Sequence, residues 1–123
     1  MSGLVGTSHS KSKVIGRSED TAYAWCNFEG DGTPSFRRVF NCSSIQSGGS
    51  AGKYSLTFTT PIGSDGSCVS NVCDDLDAYF DNRGISVSNR NGGDGAGCKI
   101  VTFHTSDGTR ADMSDISITV FAN

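Results

Sequence analysis

The sequence predicts an all-β protein: a small antiparallel β-sandwich of about seven or eight short strands preceded by a flexible N-terminal arm. Short apolar runs alternate with polar residues at a period of two, which is typical of half-buried strands. Between these runs lie clusters of Gly, Ser, Asn and Asp, the residues that tight turns require. The 123 residues include 16 Gly and only 2 Pro. This length fits a single domain, which we assign to residues 21–123.

Residues 1–20 have the composition of an attachment arm. They contain five Ser, three Gly and three isolated basic residues, a mixture that cannot form a core of its own. Two short apolar pairs stand out, Leu4 with Val5 and Val14 with Ile15. We expect these pairs to dock on a partner, by adding a strand or by filling a groove. A plain disordered tail is the alternative.

The alternating pattern begins near Thr21 and predicts the first strand. Small or apolar side chains at the even positions from 22 to 28 face one way, and Tyr23 and Trp25 face the other. The Gly-rich segment 29–32 predicts a hairpin turn, and residues 35–41 predict a second strand antiparallel to the first. We therefore expect both faces of the first strand to pack against other groups.

The rest of the chain predicts further strands separated by loops. The clearest is 54–59, where three apolar side chains alternate with polar ones before Pro61 ends the strand. Acidic residues in 74–81 favour one helical turn, and the Gly-rich segment 91–97 predicts a hairpin tip. The remaining predicted strands are 42–46, as a continuation of the second strand, then 67–72, 85–87, 100–105 and 115–121.

Five cysteines leave at least one thiol without an intrachain partner. Free thiols are expected in a protein made in a reducing cytosol, and bridges could form after release into oxidising surroundings. Cys68 and Cys73 are the nearest pair in the sequence, with four residues between them. They are our candidate for an intrachain disulfide.

Charge and hydropathy exclude several classes of partner. The net charge is −3, and Lys and Arg form no cluster that could follow a phosphate backbone. No apolar stretch is long enough to span a bilayer, and residues 1–16 lack the apolar block of a signal peptide. We expect neither nucleic-acid binding nor membrane insertion.

No catalytic or cofactor motif emerges. A Ser-His-Asp arrangement would have to use His104, and no serine lies in a G-x-S-x-G elbow. The acidic segment 74–82 lacks the ligand spacing of a calcium loop, and a solvated turn explains it better. We therefore expect no enzyme, no metal site and no cofactor.

Aromatic residues are numerous for a core of this size, and some strands carry apolar side chains on both faces. A second buried face supplied by subunit packing would accommodate them. The alternative is that they all fill the sandwich. We place the candidate subunit interface at Tyr23, Trp25, Phe36 and Phe40.

Three motifs follow one another in residues 22–60: AWCNFEGDGT, NCSSI and GKYSLTFTT. This ordered set resembles a module of tail-fibre and other virion structural proteins of cyanophages and related phages, with the pattern A-W-x-N-F-x-G-x-G-T, N-x-S-S-I and G-x-Y-x-L/V-x-F-T. Residues 10–16 resemble the openings of short phage proteins that carry this module, and 116–121 resemble its last strand. The segment 61–113 departs from the pattern, which leaves any receptor specificity open.

The resemblance implies a bacteriophage virion structural protein, made in the bacterial cytoplasm and located in the virion. A tail-fibre or tail-tip component is the first expectation, with the arm docked on baseplate or tail proteins and the loops facing a host surface glycan or protein. The resemblance also implies a homotrimer. A capsid decoration protein that stabilises the shell is the alternative. An envelope-degrading hydrolase and a carbohydrate-binding lectin are more distant hypotheses.

Overall fold

The computed structural model describes residues 22–62, 66–73, 83–88 and 95–122. These residues contain eight strands and no helix, which confirms the predicted all-β class. The strands are β1 (Ala22–Glu29), β2 (Ser35–Phe40), β3 (Cys42–Ser47), β4 (Lys53–Phe58), β5 (Gly66–Cys73), β6 (Arg83–Ser88), β7 (Gly97–His104) and β8 (Asp115–Ala122).

The strands form two four-stranded sheets. Sheet A has the order β2-β1-β8-β5, and sheet B has the order β3-β4-β7-β6. Every pairing is antiparallel, including the predicted hairpin of β1 with β2. One apolar face of each sheet contributes to a shared core, so the molecule is the sandwich that the alternation predicted.

The core is built from the inward positions of a few strands. β4 alternates strictly between partly exposed and buried residues, as the sequence predicted. Phe28 of β1 meets Tyr54 of β4 edge-to-face, with ring centroids 5.4 Å apart and planes at 70°. The other apolar side chains buried on β1, β4 and β8 are Ala24, Cys26, Leu56, Phe58, Ile116, Ile118 and Val120.

Asn41 turns the chain from one sheet to the other. The sequence predicted that residues 42–46 continue the second strand, but β2 belongs to sheet A and β3 to sheet B. Asn41 lies between them with φ of 54°, a conformation that Asn adopts more readily than most residues. Its Nδ2 donates to the Tyr23 carbonyl oxygen at 3.1 Å, and its Oδ1 accepts from the Thr60 N–H at 3.0 Å. These bonds stabilise a corner that ends β2.

Tyr54 anchors the segment before β8. Its hydroxyl donates to Asp112 Oδ1 at 3.0 Å, lies 3.2 Å from the Gly30 carbonyl oxygen, and accepts from the Met113 N–H at 3.4 Å. The same Asp112 oxygen accepts from the Gly52 N–H at 2.7 Å. A buried hydroxyl therefore joins three segments that are far apart in the sequence.

Several predictions differ from the structure or lie outside it. β7 begins at Gly97, three residues before the predicted start, because a side chain there would come within 2.0 Å of the Leu56 carbonyl oxygen and only glycine permits this pairing. The attachment-arm residues Leu4, Val5, Val14 and Ile15 lie outside the described residues, as do the predicted helical turn and acidic segment at 74–82.

The predicted Cys68–Cys73 disulfide is wrong. Cys68 is a free thiol, and both cysteines lie on the single strand β5, paired to Val120 and Asp115 of β8. Five steps along a strand separate their Cα atoms by roughly 16 Å, whereas a disulfide requires less than about 7 Å. Proximity in the sequence was misleading because the segment is extended.

Candidate functional site: the outer face of sheet A

A row of side chains, three of them exposed, crosses the outer face of sheet A. Phe40 of β2 pairs with Trp25 of β1, Trp25 pairs with Thr119 of β8, and Thr119 pairs with Val69 of β5. Directly paired residues project from the same face of a sheet. The four side chains therefore form one continuous line across all four strands, which we name the aromatic row.

The aromatic row is more exposed than a packed sheet face would be. Trp25 and Phe40 stack with ring centroids 6.3 Å apart and planes at 23°. Their exposed fractions are 39% and 51%, and that of Val69 is 64%. Among the described residues, the one other large hydrophobic side chain with comparable exposure is Val39, at 42%. Exposed apolar side chains grouped in this way indicate a contact surface.

A polar row lies beside the aromatic row. It comprises Arg38, Asn27, Ser117 and Asn71, aligned by the same strand pairings. Asn27 Nδ2 donates to Ser117 Oγ at 2.9 Å and also bonds the Asp115 carboxylate. Asn27 thus links β1 to β8 and is held in place on the surface. The aromatic row therefore has a polar border on one side, as protein interfaces commonly do.

An ion pair extends this polar border. Arg37 bonds the Glu29 carboxylate and lies 3.5 Å from Asp115 Oδ2. Arg37 is the extra residue of a β-bulge, since Asn27 pairs with Arg38 while the next residue of β1 pairs with Phe36. The side chains of Arg37, Glu29 and Asp115 are all partly exposed to solvent. These ion pairs therefore add little to the stability of the fold, and their main effect is to hold the charged groups in place beside the polar row.

The four residues of the predicted interface do not share one environment. Trp25 and Phe40 lie on the aromatic row, facing outward. Phe36 pairs with the buried Phe28 and packs, half-buried, against the core. Tyr23 also packs against the core, and its hydroxyl donates to the Pro61 carbonyl oxygen at 3.0 Å. The sequence did not single out Val69 and Thr119, because only strand pairing places them beside Trp25.

His104 lies beside an arginine, at the start of a tight turn. Both ring nitrogens lie near Arg83 Nη1, with Nε2 at 3.3 Å. The backbone of His104 closes a turn with Gly108 and Thr109. In the same turn, hydrogen bonds from Thr109 lower the pKa of the exposed Asp107 carboxyl.

Within residues 22–62, 66–73, 83–88 and 95–122, no three His, Cys, Asp or Glu side chains form a metal-ligand group. In the same ranges, no helix has the length and apolar character needed to cross a bilayer. The aromatic row is therefore the surface feature on which we base a function. In comparisons with known proteins, no family model, no curated protein and no solved structure matches the chain.

Proposed function

We propose that this chain is a non-enzymatic structural protein of a bacteriophage virion, a tail-fibre or tail-tip component that assembles as a homotrimer through the outer face of sheet A. The observation that carries the proposal is the exposed, stacked pair of Trp25 and Phe40 on the outer face of sheet A. In this proposal, residues 1–20 attach each subunit to the particle, and the loops at the ends of the sandwich face outward to the host.

The chemistry of the aromatic row favours a protein partner. Trp and other aromatic residues are enriched at the centres of protein interfaces, where they remove a large apolar area from water at a small cost in side-chain entropy. Burying a side chain of the size of Phe40 is worth roughly 2 kcal/mol. The polar row supplies hydrogen-bonding groups at the border, as a subunit contact requires.

The virion assignment is supported by the positions of the motif residues that carry the resemblance. Trp25 forms the aromatic row, Asn27 links β1 to β8, and Gly30 lies where a side chain would come within 2.6 Å of the Tyr54 hydroxyl. Asn41 forms the corner between the sheets. The motif residues thus have specific structural roles, which is what a shared structural module requires.

The oligomeric state tests the self-association. Sedimentation velocity of the full chain at micromolar concentration should give three times the 12.9 kDa mass of one chain. Trp25→Ser and Phe40→Ser should each weaken the trimer about tenfold or more, because each removes an aromatic side chain from the contact. Val39→Ser is the matched control, since Val39 is exposed on the same strand but pairs with the inward-facing Cys26. A monomeric wild type, or equal effects of all three variants, would contradict this part of the proposal.

The location of the chain tests the virion assignment separately. Quantitative mass spectrometry of purified particles of the phage that encodes the chain should detect it in a few to tens of copies, as a tail component requires. Hundreds of copies would instead identify a capsid decoration protein. Absence from the particles would overturn the virion assignment altogether.

A further inference from the structure

The core contains a cluster of reduced thiols that the proposed function does not use. Of the five cysteines, those at 26, 42, 68 and 98 are free thiols in the structure. Cys26 and Cys98 are fully buried, Cys42 is 8% exposed, and Cys68 packs against the edge of the core. They come from β1, β3, β7 and β5, so the cluster draws on both sheets.

Cys26 and Cys42 meet where the two sheets are joined at the corner. Cys26 lies on β1 of sheet A, and Cys42 begins β3 of sheet B directly after Asn41. Cys42 Sγ lies 3.5 Å from the Phe40 carbonyl oxygen and 3.8 Å from that of Trp25, the residue just before Cys26. Cys26 faces the core directly after this Trp25 carbonyl, and each of the two thiols shifts the pKa of the other. The Cys42 thiol therefore lies against the strand that carries Cys26, at the corner between the sheets.

We propose that Cys26 and Cys42 are a redox pair that forms a disulfide between sheets A and B when the folded protein meets a small-molecule disulfide such as oxidised glutathione. The bond would connect β1 to β3 beneath the Trp25–Phe40 pair. It would close a loop of 15 intervening residues that contains all of β2 and the corner at Asn41.

The reaction proceeds by two thiol–disulfide exchanges. The Cys42 thiolate attacks one sulfur of oxidised glutathione, whose S–S bond breaks, and one glutathione thiolate leaves. The Cys26 thiol then loses its proton to that thiolate and attacks Cys42 Sγ, which releases the second glutathione. Overall, the protein gives two electrons and two protons, and one oxidised glutathione becomes two reduced molecules.

The environments of the two thiols support this order of attack. The neighbouring Cys26 thiol lowers the pKa of the Cys42 thiol, and a thiolate is the reactive form. The neighbouring Cys42 thiol, together with burial, raises the pKa of Cys26. Cys42 is also the more exposed of the two and lies next to the end of a strand. It is therefore the thiol that an external disulfide reaches first.

The other thiols are less suited to react. Burial raises the pKa of Cys98 to about 12, so it holds almost no thiolate near neutral pH. Burial also raises the pKa of Cys68. We therefore expect one specific disulfide rather than a mixture.

Peptide mapping tests the pairing directly. The full chain is purified in reductant, exchanged into oxidised glutathione without denaturant, alkylated and digested with trypsin under non-reducing conditions. Cleavage after Arg37 and Arg38 separates Cys26 from Cys42, and Cys98 falls on a third peptide. The expected product is one cross-linked species that joins the Cys26 and Cys42 peptides and is 2 Da lighter than their sum. Oxidation should raise Tm by roughly 10 °C, because the bond restricts the unfolded chain.

Variants keep the test decisive. Cys26→Val and Cys42→Val should each abolish the cross-link and the gain in Tm, whereas Cys98→Val should retain both. Circular dichroism of the reduced variants shows whether each one folds. A different pairing, glutathione adducts without a cross-link, or thiols that stay fully reduced would each overturn the proposal. The assay uses the isolated chain and does not depend on assembly, so it can fail while the virion assignment stands.

Discussion

Some single residues make hydrogen bonds between distant segments that the alternating sequence pattern does not predict. Tyr54 is one of three apolar positions in the pattern of β4, yet its hydroxyl contacts two distant segments, at Gly30 and at 112–113. The sequence predicted that Tyr54 is buried but not which groups it would bond. Asp112 comes 58 positions later in the chain, and no local pattern relates the two.

Tyr54→Phe should lower the free energy of unfolding by about 1–3 kcal/mol. The variant keeps the ring in the core but leaves the Met113 N–H and the Asp112 carboxylate without their shared partner. Urea denaturation followed by tryptophan fluorescence measures the change. Tyr23→Phe is the control, since its hydroxyl makes one solvent-exposed bond and its loss should cost less than about 0.5 kcal/mol. Equal losses in the two variants would contradict the proposed role of Tyr54.

Ionisation of the Tyr54 hydroxyl makes the free energy of unfolding depend on pH in the alkaline range. Burial raises the pKa of Tyr54 to about 12, from the ordinary 10 of the unfolded chain. Between these two pH values the folded state therefore binds more protons than the unfolded state. The contribution of Tyr54 to the free energy of unfolding is fully present below pH 10 and is lost as the pH rises towards 12. The predicted loss is about 2 kcal/mol across this window. Urea titrations at several pH values should show a steeper decline for wild type than for Tyr54→Phe, in which only the other groups titrate. Parallel declines would refute the assignment.

At the scale of elements, the turn before β4 depends on a glycine for two reasons. Gly52 has φ of +67°, and a side chain there would come within 2.4 Å of the Thr102 carbonyl oxygen. Its own carbonyl accepts from the Thr102 N–H at 2.8 Å, which joins the turn to β7. The sequence predicted a Gly-rich loop at this place but not that one of its glycines is fixed by packing.

Gly52→Ala should destabilise the fold by at least about 3 kcal/mol, because backbone strain and a steric clash act together. Gly32→Ala is a matched control, since Gly32 has the same φ of +67° but no atom within 4 Å of the added carbon. It should cost only the strain, about 1 kcal/mol. Thermal unfolding of both variants measures the difference. A similar Tm for the two would show that the close approach at Gly52 does not matter.

Strand positions follow from local pattern, whereas sheet membership does not. β4 and β8 were predicted nearly residue for residue, because each alternates clearly and is bounded by turn residues. The sequence predicted that β2 and β3 form one continuous strand, because the residue at the corner, Asn41, does not break the local pattern of the segment. The positive φ of Asn41, and its bonds to Tyr23 and Thr60, depend on neighbours from elsewhere in the chain.

At the scale of the whole molecule, the aromatic row and the thiol pair lie on opposite sides of the same strand. Trp25 faces outward, and the next residue, Cys26, faces the core. A disulfide at Cys26 would therefore tie the strand that presents Trp25 to the other sheet. If both proposals hold, oxidation would stabilise the surface through which the subunits associate without changing its chemistry.

The sequence by itself determined the all-β class, most strand positions and the alternation of buried and exposed side chains along strands such as β4, because a period of two is a local property of the chain. Only the tertiary structure decided which strands share a sheet, that Val69 and Thr119 continue the line of Trp25 and Phe40, and that Cys42 lies against the strand that carries Cys26. These features depend on register between distant strands, and hydrogen bonding and packing set that register only when the whole chain has folded.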